Sequence, residues 1–136
     1  MLLSNDPDLD LNAQNHRGYS ALMLAVYNGQ QDFCEALLRA GADPNSMDLM
    51  GNTVLMASAF KGNLEIVKLL LQFGAVTTLK NHANMSVRDW AVMFGRKDVV
   101  QFFHQTHSDV DASSRFFNWL RFMKFGFSWL LMKRKA

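Results

Sequence analysis

Few residues in this chain have the type and spacing that chemistry needs. His104 and His107 stand close to Asp109 and Asp111, the imidazole and carboxylate donors that a zinc ion gathers in threes and fours. That run falls where the periodic pattern of the chain fades, and zinc draws its ligands from well-fixed positions, so no metal is expected. Cys34 is the single cysteine. It can form no internal disulfide, points to a reducing compartment, and reads as a small core residue, because no cation is placed beside it to activate the thiol. No phosphate-cradling glycine loop, Gly-x-Ser-x-Gly elbow, His-Glu-x-x-His or paired-cysteine spacing occurs. The chain therefore reads as non-enzymatic, with no catalytic residue and no cofactor. Asn84-Met85-Ser86 fits a glycosylation acceptor, which has no use in a cytoplasmic protein.

What remains is surface chemistry, and it is unevenly distributed. The formal net charge is +2, yet there are twelve acids and eight bases up to Ala112, then six bases and no acid from Ser113 onward. Seven of the sixteen aromatic residues also lie in that last stretch. At about 100° per residue, Asn118, Arg121, Lys124 and Ser128 gather on one side of a helix. Phe116, Trp119, Leu120, Phe122, Met123, Phe127, Trp129 and Leu130 fill the other side. Ser113 or Ser114 would cap such a helix, and Lys133, Arg134 and Lys135 suit the negative end of its dipole. A broad apolar face with two tryptophans and a basic stripe favours an anionic membrane surface. A cap over the preceding domain, a partner protein or a second copy of the chain are the other readings. Arg121 and Lys124 near the middle of a short segment argue against spanning a bilayer, and nucleic acid is disfavoured because a face this apolar is ordinarily buried in lipid or protein.

The elements that must carry these residues come from a repeat. In GNTVLMASAFKGNLEIVKLLLQFGA, Gly51 to Ala75, the Thr53 hydroxyl caps a short helix that Gly62-Asn63 breaks, and a second helix from Leu64 runs to Gly74. Ile66, Val67, Leu69, Leu70 and Leu71 make its buried stripe. A hairpin like this cannot cover both faces alone, and a shift of 33 residues finds its neighbours. Gly18, Leu22, Met23, Gly29, Gly41 and Ala42 fall on Gly51, Leu55, Met56, Gly62, Gly74 and Ala75, while Ser86, Val87, Gly95, Asp98 and Val100 continue the register forward. Asn84 takes the place of the loop glycine.

This pattern resembles the ankyrin repeat, G-x-T-P-L-H-x-A-A-x-x-G-x-x-E-I-V-x-L-L-L-x-x-G-A, over roughly Asn12 to Thr106. The resemblance implies an all-α solenoid of about three helix-turn-helix repeats, followed by the C-terminal amphipathic helix. The tetrapeptide Thr-Pro-Leu-His stands here as Ser20-Ala21-Leu22-Met23, Thr53-Val54-Leu55-Met56 and Ser86-Val87-Arg88-Asp89. The capping hydroxyl is kept and the proline and histidine are lost, so an array of modest stability is expected.

Expected organisation is a lead-in or remnant cap at residues 1–11, a repeat domain at 12–108 with repeats at about 12–44, 45–77 and 78–106, a linker at 109–114 and the cationic helix at 115–136. Helices are expected near Ser20 to Asn28, Gln31 to Ala40, Ser86 to Phe94 and Lys97 to Gln105, besides the central pair. Val76 to Lys80 reads as more β-like, consistent with the outstretched loop that joins ankyrin-like hairpins, and Asn45 and Asp48 as turn formers. MLLSNDPDLD turns acidic by Asp6, so no secretory signal is expected and the chain is placed in the cytoplasm, with the cytoplasmic face of a membrane as a further site. The resemblance also implies protein binding on a concave face and loop tips. Those positions are His16, Arg17, Tyr19, Tyr27 and Asn28; Leu49, Met50, Asn52, Phe60 and Lys61; and His82, Met85, Met93 and Phe94. Tyr27, Phe60 and Met93 would form one row, or would simply pack between neighbouring inner helices. The partner protein is not named by the sequence, and self-association through the C-terminal helix stays open.

Overall fold

In the structure, a computed structural model, residues 10–108 are described. They hold six helices: α1 (Ala21–Tyr27), α2 (Gln31–Arg39), α3 (Val54–Lys61), α4 (Leu64–Gln72), α5 (Val87–Met93) and α6 (Lys97–Ser108). Among the described residues no strand forms, and antiparallel pairing is limited to isolated bridges between Gln14 and Ser20 and between Met47 and Thr53. The chain divides into one compact unit ending at Val100 and a second beginning at Gln101. Within the second unit, Thr106 Oγ1 donates to the carbonyls of Phe102 and Phe103.

Each inner helix starts for the same local reason. The hydroxyls of Ser20, Thr53 and Ser86 accept from the backbone N–H groups of Met23, Met56 and Asp89, which satisfies one of the donors that a helix start leaves open. Two copies add a return contact in place of the missing histidine. The Thr53 N–H reaches Met56 Sδ at 3.5 Å, a weak acceptor, whereas Asp89 Oδ2 accepts from the Ser86 N–H at 2.7 Å and from its hydroxyl at 2.9 Å. These bonds hold the Asp89 carboxyl below the usual carboxylate range.

Short helices of seven to nine residues have little stability of their own, and packing supplies it. Helix α3 packs against α1 on one side and α5 on the other, α2 lies on α1, α4 lies on α3, and α2 touches α4. Leu22, Met23, Leu37, Leu55, Met56, Ile66 and Leu70 are fully buried between these two layers, each contributing ~1.5–3 kcal/mol by leaving water. Cys34 is buried in the same core, as its sequence context suggests, and burial pushes its thiol up to about 11.

The connections carry their own hydrogen-bond ladder. Asn12 Oδ1 accepts from the Asp43 N–H, and 33 residues later Asn45 Oδ1 accepts from the Val76 N–H, both at 2.8 Å. Asn45 is thus more than the turn former that the sequence suggests, since it also fastens its repeat to the next. Val76 to Lys80 is not β-like: its chain turns at Thr77 and Thr78. Its β-branched residues meet no partner strand among the described residues, and strand propensity expresses itself only where such a partner exists.

A candidate interaction face

The hairpin tips between repeats are built around three equivalent side chains. Asn15, Asp48 and Asn81 each accept two backbone N–H groups through Oδ1, from Arg17 and Tyr19, Met50 and Asn52, and Ala83 and Met85. Neighbouring tips are then tied together. The Leu49 N–H donates to the Arg17 carbonyl at 3.3 Å and the His82 N–H to the Met50 carbonyl at 3.0 Å. That approach needs glycine behind it: Gly18 has φ +81° and a Cβ there would lie 2.6 Å from the Leu49 nitrogen. Asn52 closes the seam, donating to Asp48 Oδ2 and accepting from Asn81 Nδ2.

With the backbone engaged, the side chains of the tips are left outward. Leu49 and Met50 are the large apolar residues there, both exposed, and His16, Arg17 and His82 are exposed beside them. Below the tips, rings pack along the inner helices, one pair tilted and the others edge to face. Tyr19 meets Tyr27 with centroids 5.5 Å apart, Tyr27 meets Phe60 at 6.3 Å, and Phe60 meets Phe94 at 4.6 Å. Trp90 joins at 6.1 Å from Phe60 and 5.4 Å from Phe94. Such contacts are worth about 0.5–1.5 kcal/mol each beyond their buried area. Burial pushes the Tyr27 hydroxyl up to about 12, with the neighbouring Tyr19, the Asp48 carboxylate and a hydrogen bond with Tyr19 adding to it.

The structure brings most of the expected residues to one region and sorts them. Tyr19, Tyr27, Phe60, Met85 and Asn52 are half-buried, whereas Asn28, Lys61, Met93 and Phe94 are exposed. Asn28 Nδ2 bonds back to the Leu24 carbonyl, and Asn52 is held in the seam. Tyr27 and Phe60 do pack between inner helices, and the ring that continues their row is Phe94, with Met93 exposed next to it. Two participants were missed. Trp90 lies 33 residues after Ala57, so the repeat register carries no aromatic signal for it. Arg96 Nε donates to the Phe60 carbonyl at 2.7 Å, with its guanidinium 6.0 Å from the Phe60 ring centre, and its register partner Asn63 instead caps α4. Trp90 Nε1 is sealed from solvent with no acceptor among the described residues.

No group of three or more His, Cys, Asp or Glu converges among the described residues, and no described helix is long and apolar enough to cross a membrane. Of the imagined metal cluster, His104 is exposed, and Asp109 and Asp111 lie outside the described residues. The whole cationic helix, with Phe116, Trp119, Leu120, Arg121, Phe122, Met123, Lys124, Phe127, Trp129, Leu130, Lys133, Arg134 and Lys135, also lies outside them, as does most of the 1–11 lead-in.

A family model described as ankyrin repeats (3 copies) matches residues 1–48 and 22–114. Among curated proteins, the chain is 35% identical over 97 residues to alpha-latroinsectotoxin-Lt1a of Latrodectus tredecimguttatus, covering 71% of this chain and 7% of that protein. It is 32% identical over 108 residues to the nuclear factor NF-kappa-B p105 subunit of Rattus norvegicus, 77% of this chain and 11% of that one. A putative ankyrin repeat-containing protein of Treponema pallidum is 35% identical over 78 residues, 57% of this chain and 26% of that one. The chain thus spans between 7% and 26% of the length of these relatives.

Proposed function

The chain belongs to the ankyrin repeat family, and from that premise we propose that it grips a partner protein through its hairpin tips and the adjoining ends of its inner helices. Ankyrin repeats are generally protein-interaction modules, and the family is typically non-enzymatic. The observation that carries the reading is the outward set Leu49, Met50 and Met93, held on a backbone whose polar groups are already hydrogen-bonded and backed by the ring row of Tyr27, Phe60 and Phe94. Exposed methionine and aromatic side chains on a rigid support are the material of protein-binding hot spots. The test places a photo-crosslinking amino acid at Met50, at Met93 and, as controls on the second helices, at Gln31 and Glu65. A partner protein should cross-link from the first two positions and not from the controls. Equal cross-linking from all four positions would sink the reading.

For residues 115–136, attachment to an anionic membrane surface is the favoured role. It rests on the six bases, the absent acids and the broad aromatic face of that stretch. The alternatives are a helix that acts on membranes by itself, or one that caps the repeats or mediates assembly. Flotation of the full chain and of a chain lacking Ser113 to Ala136, with anionic and neutral vesicles, separates them. Only the full chain should float, and only with anionic vesicles.

A further inference from the structure

The charged residues of the repeats are sorted by position. The tips at 14–19, 47–52 and 80–85 and the inner-helix ends at 27–30, 60–63 and 93–96 hold four bases, Arg17, Lys61, Lys80 and Arg96, against one acid, Asp48. The second helices carry the acids instead: Asp32 and Glu35 on α2, Glu65 on α4 and Asp98 in the first turn of α6.

Pairing sharpens the contrast. Among the described residues the close ion pairs are Glu35 with Arg39 at 2.7 Å and Glu65 with Lys68 at 3.9 Å, both within second helices. On the tip side the single carboxylate is engaged by its own loop, since Asp48 Oδ1 accepts from the Met50 and Asn52 N–H groups and Oδ2 from Asn52 Nδ2. Arg17, Lys61 and Lys80 are exposed and in no close ion pair among the described residues. Arg96 is anchored through Nε to the Phe60 carbonyl and lies across Gly62, with Cδ 3.1 Å from where a Cβ would stand there. Its terminal nitrogens are thus left as donors over the turn that carries Lys61, in the fork geometry that suits a carboxylate.

Apolar side chains lie between these cations. Leu49 and Met50, 65% and 62% exposed, sit on the tip whose Leu49 N–H meets the Arg17 carbonyl. Phe60 precedes Lys61, and Met93 and Phe94, both exposed, precede Arg96 by one turn. Residues 113–136, with six bases and no acid, are repelled by such a face. Nucleic acid would need open ring faces on which to stack its bases, and here Phe60, Trp90 and Phe94 pack edge to face against one another while leucine and methionine are left outward.

Resting on the reading of the tips and helix ends given above, we propose that the partner protein presents an acidic segment to this face. Its aspartate or glutamate side chains meet Arg17, Lys61 and Arg96, and leucine- or methionine-like side chains between them lie against Leu49, Met50 and Met93. The carboxylates speed encounter and fix the register, and the apolar contacts hold the complex.

The test selects peptides on the full chain from a displayed library of random short sequences and measures those recovered by fluorescence anisotropy. They should be net acidic, with apolar residues between the acids, and should bind more weakly as salt rises. Arg17→Glu with Lys61→Glu should weaken them about tenfold or more. Lys68→Glu with Lys97→Glu, the same charge change on the second helices, should alter affinity by less than about twofold. All four positions are exposed, and circular dichroism checks the fold. Should a reversal disturb it, Arg17→Gln with Lys61→Gln decides instead and should cost about threefold or more. Recovery of neutral or basic peptides, or of none, would overturn the proposal. So would acidic peptides indifferent to the Arg17 and Lys61 changes, the result expected of binding to residues 113–136. An oligothymidylate that displaces the peptides and is itself lost on those two changes would make the occupant a nucleic acid and overturn the proposal. A gain of about tenfold on Asp6→Asn with Asp8→Asn would make the chain's own first residues the occupant and overturn it too. The broader reading fails separately: peptides that cross-link as readily from Gln31 and Glu65 as from Met50 and Met93 sink both, whereas neutral peptides that cross-link only from Met50 and Met93 sink the acidic partner alone.

Discussion

The second and third repeats start their helices with the same hydroxyl cap and turn their tips on the same Oδ1 geometry, but they differ in what surrounds them. In the second repeat, Val54, Leu55, Met56 and Ala57 are all sealed, because a neighbour lies on either side. In the third, Arg88 is half-buried and Asp89 exposed at the positions of Leu55 and Met56. Local conformation in this molecule is set inside each repeat, while burial is set by the stack. Conformation and burial should therefore respond differently to substitution.

The widest separation is expected between the two cores. Leu55→Ala removes a fully buried side chain from between two layers and should cost about 3 kcal/mol, whereas Val92→Ala should change stability by less than about 0.5 kcal/mol. Urea unfolding of both variants reads the contrast, and equal losses would mean that the third repeat is as enclosed as the second. The tips come next. Gly18→Ala forces a left-handed residue against the Leu49 backbone and should cost about 2 kcal/mol, while Asn84→Gly, at the equivalent position of the last tip, should change stability by only a few tenths. The caps should differ less. Thr53→Ala leaves a buried Met56 N–H without its acceptor and should lower stability by about 1 kcal/mol, with Ser86→Ala nearer to about 0.5 kcal/mol.

The smallest contrasts are in pH dependence. Asp89 titrates lower in the folded chain than when unfolded, so its contribution is complete above the unfolded carboxylate pKa of about 3.9 and is lost as pH falls through the folded value. Thermal midpoints followed from pH 6 down to about 2 should therefore fall less steeply in Asp89→Asn than in the wild type. Tyr27 moves the other way. Its folded pKa of about 12 lies above the unfolded value of about 10, so stability should decline as pH rises between the two. Tyr27→Phe should remove that part of the slope.

Much of this was legible in the residues. Ser20, Thr53 and Ser86 recur every 33 positions ahead of apolar runs, and a hydroxyl there can do little except cap. Glycine at 29, 62 and 95 marks where the inner helices stop, and all three have positive φ. What escaped was whatever one repeat does to another. Asn12 and Asn45 look like loop residues until their Oδ1 atoms meet a backbone about one repeat away. Trp90 and Arg96 break the register in which Ala57 and Asn63 precede them, so periodicity gave them no place. The Asp89 return bond was hidden because the expected residue at its position is a histidine. Val76 to Lys80 is a joining loop, as expected, but it turns at Thr77 and Thr78 where its β-branched residues suggest extended chain, since that preference is expressed only when a partner strand is there to receive it.

Cys34 has one more use. It is the chain's sole thiol, it lies in α2 with no exposed surface, and burial keeps it protonated at neutral pH. A maleimide added to the native protein can therefore reach it only during moments when the first repeat comes apart. The ratio of that labelling rate to the rate in the urea-unfolded chain measures the fraction of time α2 is open. A core cysteine without a chemical role thus becomes an internal gauge of how often the first repeat opens.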